Sequence, residues 1–197
     1  MRPCREAALP GGIDVYVNVT QNNGPFRRGR PPWAAVTARR ELPMQAPPAT
    51  AFVPAFAGYA DRVRASFARQ GAMALMRAEL IAVEPGFCAI ALTPRPELSQ
   101  QHGYVHAGIV AGIVDAAGGY AGYTLFPEES SILTVEFKLN LLAPAAGDRL
   151  VAEGRVVKPG RTLAITQGEV HSEKHGKRTL VALMQQTLMV MHGKADA

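Results

Sequence analysis

The stretch HGYVHAGIVAGIVDAAGGYAGYT, residues 102–124, decides how this chain folds. From Ala107 to Phe126 it carries one side chain that is charged at neutral pH, Asp115, and it is apolar on every side. Its length is close to that of a bilayer span. Gly108/Gly112 and Gly118/Gly122 even repeat the small-xxx-small spacing that brings helices together in lipid. A carboxylate at its centre would cost several kcal/mol in lipid, however. The five glycines of residues 107–126 and the strand-like segments around them also count against a membrane. The stretch therefore reads as a helix that starts near Ala107, after the loop Gln101–His106, and is buried beneath a sheet. No membrane partner is expected.

Downstream, Thr134–Leu141 alternates polar and apolar residues without a fault, as a half-buried strand must. This alternation puts Thr134 on the polar face with Glu136, Lys138 and Asn140, away from the chain's own helix. Arg149–Val157, Thr162–His171 and Thr179–Met191 read as three more strands with hairpin-length connections. Pro159-Gly160 suits the centre of a type II turn. Upstream, Phe56, Tyr59, Ala60, Val63 and Phe67 recur at helical spacing within Ala55–Ala74, with Gly71 as terminator. Strands over 75–83 and 86–93 follow, joined by Glu84-Pro85-Gly86. The expected order is helix, two strands, long helix, four strands. Hairpin-connected strands imply an antiparallel sheet, so the fold class is α+β.

The chain has 197 residues, 48% of them hydrophobic, which is enough to bury a core in one domain. Its net charge of +5 is unevenly spread: residues 1–43 hold seven Arg against three acids, and the remainder holds 14 basic against 13 acidic residues. The basic balance therefore belongs to a Pro- and Gly-rich leader, residues 1–54. That leader is expected to be an irregular, solvated tail, or residues ahead of a start at Met44. The Arg and aromatic residues of Phe26–Pro32 make a weak nucleic-acid signal, and no nucleic-acid partner is expected. The domain is expected over 55–192, with a short tail over 193–197. Two cysteines, Cys4 and Cys88, cannot build a disulfide framework. With no apolar run of signal-peptide length at the N-terminus, the cytoplasm is the expected compartment.

A buried Asp either pairs with a buried donor or does chemistry. The helix start near Ala107 offers unpaired N–H groups and the positive end of the dipole, suited to an oxyanion formed when an ester or thioester carbonyl is attacked. Asp115 lies nine residues after His106, about 13 Å along the helix. One subunit's Asp115 is thus poorly placed to serve its own helix start, whereas antiparallel helices from two subunits bring the two together.

His106-Ala107-Gly108 followed by Asp115, with Gln100 and Gly103 ahead of the His, resembles the PaaI-like acyl-CoA thioesterases. The runs TVEFKLNLLAPA (134–145) and VVKPGRTLA (156–164) are similar to that family too. The resemblance covers about 55–192. It implies the hotdog fold, a long central helix wrapped by an antiparallel sheet, and a dimer or dimer of dimers with shared sites. It implies acyl-CoA as substrate, Asp115 as general base or nucleophile, and the Ala107 N–H as oxyanion donor. Gln100 would help to bind the carbonyl or the water, Thr134 would orient that water, and His106 would support the loop. Gly103 and Gly108 would lie beside the substrate. Ala107 departs from the family's usual Gly, and Gln100 from its usual Asn.

Other chemistry finds little support. His102/His106 and His171/His175 stand four apart, but no third ligand has a matching spacing, so neither metal nor cofactor is expected. Nucleophile-elbow, P-loop and dinucleotide motifs are missing from the sequence. Cys88, in an apolar strand, reads as core. The basic residues at predicted turns (Arg155, Lys158, Arg161, Lys174, Lys177, Arg178) read by default as a solvated rim, with Lys158 and Arg161 as the candidates for contact with CoA phosphates. Two alternatives to a thioester hydrolase are a non-catalytic acyl-CoA-binding module and an enoyl-CoA hydratase. The hydratase is disfavoured because Tyr120 stands where its His would.

Overall fold

The computed structural model describes residues 52–194. In chain order these form helices α1 (Tyr59–Arg69) and α2 (Gly71–Met76) and strands β1 (Glu79–Glu84) and β2 (Phe87–Leu92). A 3-10 turn at Pro96–Leu98 precedes helix α3 (Ala107–Tyr123) and strands β3 (Ser130–Leu141), β4 (Arg149–Lys158), β5 (Leu163–Lys174) and β6 (Lys177–His192). The six strands make one antiparallel sheet in the order β1-β2-β4-β5-β6-β3, leaving β1 and β3 as edges. From the first strand onward the expected order of elements is therefore found, with the long helix packed on the sheet.

Alternation produces this arrangement. Ala182, Met184, Gln186, Leu188 and Val190 of β6 are all buried and point to one face, as do Ala164, Thr166 and Val170 of β5. On that face lies α3, most of whose residues from Val110 onward are buried. Glycine sets how closely helix and sheet approach: a Cβ on Gly154 of β4 would stand 2.3 Å from the Ala117 carbonyl.

Two arginines fasten the N-terminal helices. The Arg62 guanidinium donates to the main-chain oxygens of Tyr123, Phe126, Pro127 and Glu128, and so covers carbonyls that the end of α3 leaves open. It also stacks on the rings of Phe56 and Tyr123. Arg95 donates to the Leu75 and Met76 carbonyls at the end of α2.

The structure corrects several local expectations. The single helix over 55–74 is two, because Gln70 adopts ψ 103°, and Gly71 opens α2 instead of ending α1. Helix α2 takes up the residues expected to begin the first strand, so β1 starts at Glu79. The Glu84-Pro85-Gly86 turn is present with Gly86 at φ +77°, but Gly160 does not adopt a positive φ. Glycine is needed at 160 for space, since a Cβ there would lie 2.0 Å from the Leu163 oxygen. None of the described helices is long and apolar enough to cross a membrane. The leader expected over 1–54 lies outside the described residues except for 52–54, which form no helix or strand.

Candidate active site

Asp115 sits in the third turn of α3, half-buried against β3 and β6. Its Oδ1 accepts a hydrogen bond from Thr134 Oγ1 at 2.9 Å and another from Gln186 Nε2 at 2.5 Å. Gln186 Nε2 also lies 3.1 Å from the Asp115 main-chain oxygen and 3.0 Å from Thr134 Oγ1. Behind it, Thr166 Oγ1 donates to Gln186 Oε1 at 2.8 Å. Burial raises the Asp115 pKa above the ordinary carboxylate value, while the hydrogen bonds from Thr134 and Gln186 pull against that rise. A carboxyl raised in this way is better matched to a proton acceptor near neutral pH than an ordinary surface Asp.

The orientation of Thr134 corrects the sequence reading. Strand β3 bulges between Thr134 and Glu136, so Thr134 lies opposite Leu188 and Glu136 opposite Thr187. Cross-strand partners share a face. Thr134 therefore faces inward with Leu188, whereas Glu136 faces outward with Thr187. The extra residue re-phases the strand, as bulges do, and brings the Thr134 hydroxyl onto its own helix.

The second group of expected site residues gathers at the N-terminus of α3. His106 caps the helix by accepting the Gly108 N–H on Nδ1 at 2.9 Å, so in the neutral ring the proton is on Nε2. The Ile109 and Val110 N–H groups reach the His106 carbonyl. The exposed Ala107 N–H keeps no hydrogen-bond partner among the described residues. Gln100 Oε1 accepts from the His102 N–H, which turns the amide of that side chain back on its own loop. Gly103 holds φ +82° in the same loop. A cleft of about 390 Å³ opens beside these residues, lined by Gln100, Tyr104, Val105, Ala107, Val110 and Leu141 among others.

The two groups do not meet within one chain: Ala107 precedes Asp115 by eight residues, about 12 Å along α3. Lys158 and Arg161 are exposed at the end of β4 and in the loop that follows. Arg155 and Arg178 instead pair with Glu153 on the outer face of the sheet. Tyr120 ties α3 to the N-terminal helices through Ser66 and Gln70. Cys88 is fully buried and its thiol pKa is pushed up by that burial. Among the described residues no group of three His, Cys, Asp or Glu is placed to hold a metal.

Gln186 and Thr166 were not singled out by sequence reasoning. A signal was present, however: both are polar residues at inward positions of strands whose other inward residues are apolar or small.

Residues 102–179 match the family model of the thioesterase superfamily. A thioesterase family protein of known structure from Silicibacter pomeroyi is 44% identical, with a TM-score of 0.68 over 69% of this chain and 100% of its own. The E. coli PaaI protein from the phenylacetic acid degradation operon shares the fold, with a TM-score of 0.62 at 19% identity over 69% of this chain and 95% of its own. A Saccharolobus solfataricus protein provisionally named an esterase is 28% identical over 46% of this chain and 64% of its own. Another, from Halobacterium salinarum, is 36% identical over 33% and 44%. The chain thus spans less than two thirds of the length of these curated relatives. The architecture is the hotdog that the resemblance implied.

Proposed function

This chain belongs to the thioesterase superfamily, a family of hydrolases, and we propose that it cleaves an acyl-CoA thioester to a carboxylic acid and free CoA. The observation that carries this reading is the half-buried Asp115 carboxylate, held from one side by Thr134 and Gln186. The Ala107 N–H, without a hydrogen-bond partner among the described residues, supports it as the site for a thioester oxygen. As attack on the carbonyl carbon develops negative charge on that oxygen, the N–H and the helix dipole stabilise it.

Asp115 acts in one of two ways. As general base it takes a proton from water while the water oxygen bonds to the carbonyl carbon. As nucleophile it attacks that carbon itself and forms an anhydride that water then opens. In both, the C–S bond breaks and the CoA sulfur leaves, taking a proton to become the thiol. Gln100 assists at the carbonyl or the water, and His106 keeps the loop in shape. Gly103 and Gly108 let the substrate approach the backbone. Lys158 and Arg161 supply mobile cations for the CoA phosphates.

The site is built from two copies with their α3 helices antiparallel, so that Asp115 of one copy faces the helix start of the other. Edge strand β3 supports this. Phe137 and Leu141 lie opposite the buried Gln186 and Ala182 and so face inward, yet they are 46% and 55% exposed. Residues 55–192 form the working unit, a dimer or dimer of dimers, and the cytoplasm is its place. The test is free-thiol release from a panel of acyl-CoA esters. Hydrolysis by the wild type that is lost in Asp115→Asn supports the proposal, and equal rates in both overturn it.

A further inference from the structure

Gln186 is an uncharged residue in the middle of a packed face, and its surroundings admit only one orientation of its amide. The side chain is 2% exposed and that of Thr166 behind it is 0% exposed. The nitrogen faces two oxygens of one residue, the main-chain carbonyl of Asp115 at 3.1 Å and its Oδ1 at 2.5 Å. A flipped amide would set its own oxygen against both. On the far side Oε1 needs a donor, and the Thr166 hydroxyl supplies one at 2.8 Å. The helix leaves room for this amide: a Cβ on Gly118, one turn after Asp115, would stand 2.2 Å from Gln186 Oε1 and 3.0 Å from Thr166 Oγ1.

The hydrogen bonds run in one direction, from Thr166 to Gln186, from Gln186 to Asp115 and Thr134, and from Thr134 to Asp115. Both donors to the carboxylate converge on Oδ1, and among the described residues none donates to Oδ2. The inward positions of β3, β4, β5 and β6 around it carry no other ionisable side chain. Among the described residues nothing charged therefore holds this carboxylate, and its ionisation rests on neutral donors.

We propose that Gln186, locked by Thr166, is a positioning residue: it fixes Asp115 through Oδ1, favours the charged carboxylate and leaves Oδ2 as the oxygen that acts on water or thioester. This rests on the reading of Asp115 as base or nucleophile. A buried, inert polar pair would leave the proton affinity and catalytic pH profile of Asp115 where they are, whereas a positioning pair moves both. A hydrogen bond to a charged group is stronger than one between neutral groups. Its removal from an ionised carboxylate therefore favours the protonated form.

The experiment compares the full chain with Gln186→Met, Thr166→Val and Thr166→Ser, each first confirmed as folded by its melting transition. Carbon NMR follows the titration of the Asp115 carboxyl, and thiol release from an acyl-CoA gives kcat and KM against pH. Gln186→Met is expected to move the carboxyl titration and the acid limb of kcat/KM to higher pH. It should lower kcat on that limb about tenfold or more, with KM changed by about twofold or less. Thr166→Val shifts both in the same direction by less, and Thr166→Ser returns them toward the wild-type position.

A folded Gln186→Met or Thr166→Val protein whose Asp115 titrates as in the wild type overturns the proposal. If Gln186→Met does not fold, Thr166→Val decides. Failure of the broader reading looks different: Asp115→Asn then turns over as fast as the wild type, while the NMR titration still judges Gln186.

Discussion

The Thr134 hydroxyl lies 2.9 Å from Oδ1 of Asp115 and donates to it, so the edge strand β3 and the central helix α3 share a hydrogen bond at the candidate site. This contact depends on the bulge between Thr134 and Glu136. Thr134→Val keeps the shape of the side chain and removes the donor. It is expected to lower kcat about tenfold, since a hydrogen bond to a charged group is lost. Thr134→Ser retains the hydroxyl and should stay close to the wild type in a thiol-release assay.

Asp115 itself couples activity to stability. Its pKa is raised in the folded protein, mainly by burial, so the folded state binds that proton more tightly than the unfolded chain does. The stability this confers is fully present below the unfolded pKa and is lost as pH rises through the raised folded value. Asp115→Asn removes the cost of burying the charge. Its melting temperature is expected to exceed that of the wild type at pH 7 by about 2–4 °C, with the gap closing as pH falls toward the acid range. Turnover should fall by about 10²–10⁴ at the same time. In the wild type, the acid limb of kcat/KM should lie above the ordinary carboxylate pKa. Calorimetric scans and rate profiles over the same pH series check both parts.

The Ala107 N–H can be deleted without deleting the helix. Ala107 is the first residue of α3, where proline is well tolerated. His106 before it holds φ −61° and ψ 139°, a conformation compatible with a following proline. Ala107→Pro is therefore expected to fold normally and to lose about 10²–10³ in kcat. Ala107→Gly, which keeps the N–H, should remain active. Circular dichroism beside the thiol-release assay separates a lost donor from a lost fold.

Two copies are required if Asp115 and Ala107 are to act on one substrate. Phe137→Lys places a charge on the inward, exposed part of edge strand β3, where pairing with a second copy would bury it. The expected result is a folded monomer in sedimentation velocity with about 10²-fold or lower activity, because the oxyanion donor and the carboxylate are parted. A fully active monomer would refute the shared site.

Much of this architecture was legible in the sequence, because period and turn chemistry determine it. Asp115 stood out as the only charge in an apolar stretch, and Pro85-Gly86 marked its hairpin. What escaped was set by single-residue offsets and by close approach. The polar–apolar pattern through Thr134–Leu141 is unbroken, so nothing in it announces a bulge, and Thr134 was placed on the wrong face. Gly160 looked like a turn glycine although it is there to clear the Leu163 oxygen. Gln186 stands next to Gln185 in the sequence, and nothing local separates their roles. Only the register that places it opposite Thr166 and beside α3 distinguishes the two. Sequence spacing carries faces along one element well, but it carries contacts between elements poorly.

The fastening of the N-terminal helices bears on all of these measurements. The hydrogen bonds from Arg62 and Arg95 to main-chain carbonyls end on acceptors that do not titrate, and Arg95 also pairs with Glu97. Those bonds neither appear nor vanish as Asp115 gains or loses its proton. The main-chain part of the clasp that holds the helical pair to the domain is thus unaffected by the protonation of the site.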